Sequence, residues 1–297
     1  MRYYALLLTA TLIWGSTFVI SKDIMQYVAP SFLIGMRFVP AALILAGSFV
    51  KYRSLYLVPR NIAFGCGCGL VLFIAYYVQM TGLTLTSPGK NAFLTATDCV
   101  IVPFLVWLLM HKRPTRFNIM AAICALAGIG CISLSNGIRL EAGDIFSLAG
   151  AFFFALHIAL VGKLARQYNI YVLTIWEFIV VGACGLLCGV LTEPLPSITA
   201  FSGIHLFEWL YLAILATTVA LLFQNIAQAH ILPSTAAIIL TSESVFATFI
   251  SVLLGIDVLT PRLVAGFVLV FVSVLIAEAL PTFLNKRAAR NQHHAGA

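Results

Sequence analysis

Six ionisable side chains fall inside or beside long apolar stretches: Arg37, Lys90, Asp98, His157, Glu177 and Glu243. A charge held in hydrocarbon costs about 2.5–3.5 kcal/mol or more, so such groups usually face a cavity or a partner. Asp98 follows Asn91 and Thr95 at i, i+4, i+7, the spacing of one helix face. Glu243 stands in a polar row with Thr241, Ser244, Thr248 and Ser251. Two carboxylates in a central cavity could bind a proton or an amine. Each could equally be a hydrogen-bond partner for a neighbouring helix, and the sequence leaves both roles open. The amides of Gln79, Gln224, Asn225 and Gln228 could read an ammonium or a carboxylate, or could link helices at about 1 kcal/mol or less each. Trp14, Tyr76 and Tyr77 offer an aromatic wall, although aromatics in membrane helices more often pack or mark the interface. Histidine is the side chain that titrates near neutral pH, so His157 could pass protons; a helix-to-helix hydrogen bond is its plainer role. Arg37 and Glu177 are expected to pair with other groups at the bundle ends. Pro88 and Pro233 stand where apolar stretches begin, either as ordinary first-turn prolines or as hinges. Pro103 lies mid-stretch and reads as a kink.

Several kinds of chemistry have no residues to carry them. The seven cysteines lie mostly inside apolar runs, with no C-x-x-C pair, and read as small apolar fillers. No H-E-x-x-H occurs, and no G-x-x-x-x-G-K-[ST] phosphate loop. A nucleophile–base–orienter set, a potassium filter and a charged ring are also lacking. The sequence therefore predicts no metal, no cofactor, no enzyme and no channel.

The elements that must hold these groups are membrane spans. Hydrophobic residues make up 62% of the chain, charged residues 9%, and the mean hydropathy is +1.04, whereas a soluble domain is about a quarter charged. A bilayer core needs roughly 20 apolar residues per helix. Ten stretches meet that need: 3–21, 31–50, 61–82, 88–110, 117–135, 144–164, 171–191, 206–229, 234–255 and 262–284. Between them stand Pro30, Pro88-Gly89, Pro114, Asn136-Gly137, Pro194, Pro196, Pro233 and Pro261, residues that disfavour continuing helix. Small residues recur every fourth place at Gly143, Ser147, Ala151, Ala155 and Ala159, and GxxxG pairs occur at Gly65/Gly69 and Gly185/Gly189. Such faces let helices approach closely in lipid.

The net charge of +7 comes from clusters between spans and not from a stripe interleaved with aromatics, which argues against nucleic acid. With the N-terminus cytoplasmic, the inner side holds twelve Lys and Arg: Arg2, Lys51, Arg53, Arg60, Lys112, Arg113, Arg116, Lys163, Arg166, Lys286, Arg287 and Arg290. The outer side holds Lys22, Lys90, Arg139 and Arg262. That bias predicts a plasma-membrane (bacterial inner-membrane) protein with both termini inside.

A shift of 145 residues lays Gln79 on Gln224, Pro88 on Pro233, Ala92 on Ala237, Asp98 on Glu243 and Thr115 on Thr260. Five helices per copy would set the second copy upside down, the plan of many secondary transporters. The predicted fold is thus an all-α membrane protein of ten transmembrane helices in two inverted five-helix repeats, 1–138 and 139–285. A polar tail without structure is expected over 286–297. The stretch Leu12-Ile13-Trp14-Gly15-Ser16-Thr17-Phe18 resembles the first-helix pattern of EamA-type members of the drug/metabolite transporter superfamily. Ser242-Glu243-Ser244-Val245-Phe246-Ala247, running on through Ser251 to Thr260, is similar to the ninth-helix signature of that superfamily. The resemblance implies export of amino acids or similar small metabolites, with a multidrug or organic-cation carrier as the alternative. Only Arg37 and Lys90 could neutralise phosphates, so zwitterionic or neutral substrates fit better. The expected partners are a small-molecule substrate, the lipid bilayer and protons as coupling ion. The cavity is expected to use Trp14, Tyr76, Tyr77, Gln79, Asn91, Thr95, Asp98, His157, Gln224, Asn225, Gln228, Thr241 and Glu243.

Overall fold

The computed structural model describes residues 1–133, 141–196, 202–253 and 259–295. Among the described residues every regular element is a helix. In order they are α1 (Arg2–Trp14), α2 (Thr17–Ile24), α3 (Pro30–Ser48), a 3-10 turn (Val50–Tyr52) and α4 (Arg53–Tyr56). Then come α5 (Pro59–Leu85), α6 (Pro88–Thr95), α7 (Asp98–Met110), α8 (Arg116–Ser133), α9 (Ala142–Leu164) and α10 (Ile170–Thr192). The chain continues through α11 (Ile204–Leu210), a π-helical stretch (Tyr211–Val219), α12 (Ala220–Gln228), α13 (Pro233–Leu240), α14 (Ser242–Leu253) and α15 (Pro261–Ala295).

Seven stretches are long and apolar enough to cross a membrane: Arg2–Ile24, Pro30–Ser48, Pro59–Leu85, Lys90–Met110, Ala142–Leu164, Ile170–Thr192 and Ile204–Gln228. Shorter apolar runs lie in α8 and α15, and α13 with α14 fill the ninth expected stretch. The Asn136-Gly137 break, Arg139 and the segment 255–258 fall outside the described residues, as do the side chains of Thr248, Ser251, Lys286, Arg287 and Arg290.

Proline supplies the first residue of α3, α5, α6, α13 and α15, where its missing N–H is harmless and its φ is already helical. Pro88 and Pro233 are therefore first-turn residues, while Pro103 lies inside α7. Polar caps complete other starts. Ser87 Oγ accepts the Lys90 N–H, and Asn169 Oδ1 accepts those of Tyr171 and Val172.

Three apolar stretches are split: α1 from α2 at Gly15-Ser16, α6 from α7 at Ala96-Thr97, and α13 from α14 at Thr241. The last two splits lie at matching places under the 145-residue shift. One expectation needs correcting at the C-terminus, where α15 continues through 286–295 instead of ending in an unstructured tail. Lys, Arg, Ala and Gln dominate that segment; all are strong helix formers, and cations near a helix C-terminus interact well with its dipole.

Helices pack in pairs: α3 on α10, α5 on α9 and α10, α8 on α15, and α1 on α12. The α3–α10 pair meets backbone to backbone, since a Cβ on Gly185 would lie 2.6 Å from Gly35 N. The small-residue face of α9 (Gly143, Ser147, Ala151, Ala155, Ala159) is buried. At its end a Cβ on Gly143 would lie 2.9 Å from Gly82 O of α5. Such contacts give lipid-embedded helices the dispersion energy that water expulsion cannot supply.

Candidate functional site

The split helices converge on a partly open cavity in the middle of the bundle, whose empty space of about 910 Å³ includes the solvent at its mouth. Its wall brings together nine of the thirteen expected residues: Trp14, Tyr76, Gln79, Thr95, Asp98, His157, Gln224, Thr241 and Glu243. Each split has a local purpose. Asp98 is the first residue of α7, and Glu243 lies in the first turn of α14. A helix that restarts inside the bundle turns the positive end of its dipole toward the cavity, which favours a carboxylate there. The two acids come from matching breaks and line the same cavity. Among the described residues neither is ion-paired.

The expected grouping of Asn91, Thr95 and Asp98 on one face needs correcting: Thr95 and Asp98, on either side of the Ala96-Thr97 break, line the cavity, whereas Asn91, one turn before Thr95, packs toward α5 and α9. Asn91 Nδ2 donates to Ser147 Oγ (2.7 Å) and Gln79 O (3.1 Å), tying α6 to α9 and α5. Gln79 Nε2 donates to Thr95 Oγ1 at 3.4 Å across the wall.

Arg37 is the principal site residue that sequence reasoning placed elsewhere. It lies in the cavity wall and is 2% exposed, not at a bundle end. Its Nε donates to Thr217 Oγ1 (3.1 Å), and its guanidinium carbon stands 5.5 Å from the centre of the Tyr76 ring. Among the described residues it has no carboxylate partner. Depth was the available signal. Arg37 lies seven residues after Pro30, about 10 Å along the helix, too deep for a helix end. Thr217 belongs to the π-helical stretch, where Thr217 and Thr218 Oγ1 donate back five residues to Leu212 O and Ala213 O. The Ala216 carbonyl accepts from Trp14 Nε1 at 2.8 Å, fixing that indole in the wall. Tyr211, at the start of the same stretch, donates to Ile13 O and bonds Ser16 Oγ, so the α1–α2 break is held to it.

His157 borders the cavity and joins a buried polar cluster. Its Nε2 is 3.0 Å from Glu177 Oε1, and Asn225 Nδ2 donates to Glu177 Oε2 (3.1 Å) and Thr174 Oγ1 (3.0 Å). Glu177 is thus satisfied in the bundle interior, and Asn225 is a cluster member off the cavity wall. Gln224 and Asn225 are consecutive, about 100° apart around a helix, so only Gln224 faces inward. Gln228 is fully buried off the wall, with both amide atoms unpartnered. Tyr77 also lies off the wall, stacked on Phe73. Thr17, Phe18, Phe154 and Ser244 also line it and were not expected, alongside apolar side chains such as Leu72, Ile158 and Leu221.

One end of the cavity, where Ser21 and Leu83 line it, is held by Lys22 of α2. Its Nζ donates to Leu83 O (2.6 Å), Thr86 O (2.8 Å) and Thr84 O (3.3 Å) at the end of α5. Beside that end Lys90 pairs with Asp144 at 2.7 Å. Among the described residues, Asp23, His205 and Glu208 could surround a cation, their ligand atoms lying within 4.8 Å of one another. Their mutual hydrogen bonding, with Gln26 donating to Asp23 and His205 on Glu208, already accounts for the arrangement.

A largely apolar cavity that gathers a few buried charged and amide groups inside a multi-pass apolar bundle suits a membrane carrier, and the comparisons agree. The sequence matches the EamA-like transporter family over residues 1–134 and again over 141–278, so the chain belongs to that family. It is similar to a protein of Archaeoglobus fulgidus described as an uncharacterized transporter, 29% identical over 267 residues, covering 90% of this chain and 82% of that one. A solved structure described only as the crystal structure of a protein superposes with a TM-score of 0.81 at 18% identity. It covers 95% of this chain and 98% of its own, a likeness of fold.

Proposed function

We propose that the protein is a secondary transporter that exports amino acids or similar small zwitterionic or neutral metabolites by alternating access. The observation that carries this reading is the charge distribution in the cavity. A buried guanidinium with no carboxylate partner, Arg37, shares the chamber with two carboxylates that have no cation partner, Asp98 and Glu243. A zwitterion satisfies both kinds of group, its carboxylate on Arg37 and its ammonium on the acids, while Gln79 and Gln224 read the remaining polar atoms. Protons are the coupling ion in this reading, exchanged at Asp98 and Glu243.

Ten helices in two inverted repeats, 1–138 and 139–285, are the scaffold we infer, with both termini on the cytoplasmic side of the inner membrane. Three features support it: the double family match, the matching splits at Ala96-Thr97 and Thr241, and the pairing of α3 with α10 and of α8 with α15. Under the 145-residue shift these pairs join corresponding helices of the two copies. Pro88 and Pro233 open the moving half-helices in this scheme, and Pro103 lies within α7 as a hinge.

Organic-cation efflux is the second reading. It is favoured by the two acids against one guanidinium and by the aromatic wall of Trp14, Phe18, Tyr76 and Phe154. Purified protein in liposomes, given a panel of radiolabelled amino acids with and without a pH gradient, decides between them. Saturable, gradient-stimulated uptake that falls in Asp98→Asn, Gln79→Ala and Gln224→Ala is expected. No uptake across the panel by folded protein that still moves organic cations would replace the first reading with the second.

A further inference from the structure

A second hollow, separate from the cavity and largely open to the outside, lies where the C-terminal ends of α7 and α9 meet. Its rim is cationic: His111 and Lys112 follow α7, Lys163 lies in the last turn of α9, and Arg166 follows it. No Asp or Glu lines it. Among the described residues none of the three permanent cations is ion-paired, and Arg166 makes only a long donation to Ile231 O (3.5 Å). Helix C-termini favour cations, which explains one charge at each end. It does not explain three gathered around one space, where they repel one another unless an anion enters.

The floor of the hollow is apolar, formed by Leu109 and Met110. From it an exposed strip descends the outer face of α7. Phe104, Trp107, Leu108 and His111 follow i, i+3, i+4, i+7 spacing, and the three apolar members are 49%, 46% and 71% exposed. That spacing sets them on one side of the helix, directly below the basic rim. A cationic rim above an apolar strip matches one class of molecule, with an anionic phosphate at its head and hydrocarbon below.

We propose that this hollow is a specific site for an anionic phospholipid of the surrounding bilayer. The phosphodiester is held by Lys112, Lys163 and Arg166, and the acyl chains lie along Phe104, Trp107 and Leu108. Basic pockets between helices are known receptors for such headgroups. The lipid bridges the ends of α7 and α9, both of which contribute to the cavity wall through Asp98 and His157. The site stands independently of which substrate is carried.

The test is native mass spectrometry of the detergent-purified protein incubated with phosphatidylglycerol or phosphatidylcholine. One phosphatidylglycerol should survive activation that strips phosphatidylcholine. In the Lys112→Gln/Lys163→Gln/Arg166→Gln variant its affinity should fall roughly a hundredfold, at about tenfold or less for each cation removed. A control variant, Lys51→Gln/Arg53→Gln/Arg60→Gln, loses the same charge elsewhere and should retain the lipid. Circular dichroism of both variants confirms that they are folded. Equal retention of the two lipids, or loss in both variants alike, would overturn the proposal. Complete displacement of the lipid by inorganic phosphate would also overturn it, leaving a simple anion site.

Discussion

Lys22 fastens the end of α2 to the end of α5, and replacing it by Met measures that fastening. An ammonium has three donors, and here all three are engaged, two at 2.6 and 2.8 Å and one at 3.3 Å. A hydrogen bond from a charged group contributes about 1.5–3 kcal/mol, so the two short ones gross roughly 3–6 kcal/mol. Partial exposure, and the water that the freed carbonyls regain, reduce this by about half, to roughly 1.5–3 kcal/mol. If the contact exists only while this end is closed, Lys22→Met raises the population of the open state about 10- to 150-fold. Ser21 lines the cavity beside the latch and is 4% exposed, so a Ser21→Cys site reports opening. Its labelling by a hydrophilic maleimide in proteoliposomes, followed by peptide mass spectrometry, should speed up by that factor. Lys22→Arg, which keeps the charge and donors, should change it far less. A labelling rate within about twofold of the parent, in protein of unchanged helix content, would show that Lys22 holds nothing that opens.

Other substitutions test neighbouring parts of the site. Asn225→Leu removes the donor shared by Glu177 and Thr174 and should destabilise the protein by about 1–3 kcal/mol, read as a lower unfolding midpoint in detergent. Gln228→Met removes an amide with no partner and should leave stability equal or higher by about 1 kcal/mol. A clear loss would mean that the amide is bonded in the state that dominates in solution. Arg37→Lys keeps charge but not the planar fork, so apparent affinity in the uptake assay should weaken about tenfold or more, and Arg37→Met should abolish saturable uptake. Normal uptake by the Met variant would remove Arg37 from the substrate reading.

Hydropathy and punctuation were enough to locate the helices. The stretch expected at 171–191 is α10, Ile170–Thr192, because Asn169 caps it and Glu193 follows its last turn. Rotation and continuity were not legible in this way. Ala96-Thr97 carries neither Gly nor Pro, so the α6–α7 break that separates Asn91 from Asp98 left no mark in the sequence. The π-helical stretch arises from how Thr217 and Thr218 bond back to the main chain, which hydropathy does not record. It is also what positions Arg37 and Trp14. Acids and amides could be named as site candidates from their rarity in apolar sequence. Which of two consecutive residues faces inward, as with Gln224 and Asn225, depends on neighbours that only packing reveals.

The length of α15 sets a geometric condition on everything attached to its end. Thirty-five residues of helix make a rod of about 52 Å, much longer than the roughly 30 Å of a bilayer's hydrocarbon. Its apolar run, Pro261–Ala277, is about 25 Å long, and Pro281 lies twenty residues beyond Pro261, a rise of about 30 Å. With that apolar run in a bilayer, the turns beyond Pro281, which carry Lys286, Arg287 and Arg290, stand upright in water or lie down among the headgroups. A fluorescent or affinity tag fused after Ala297 is thereby held up to about 20 Å from the membrane surface by a stiff spacer, and its distance to the bilayer tells which of the two postures the helix takes.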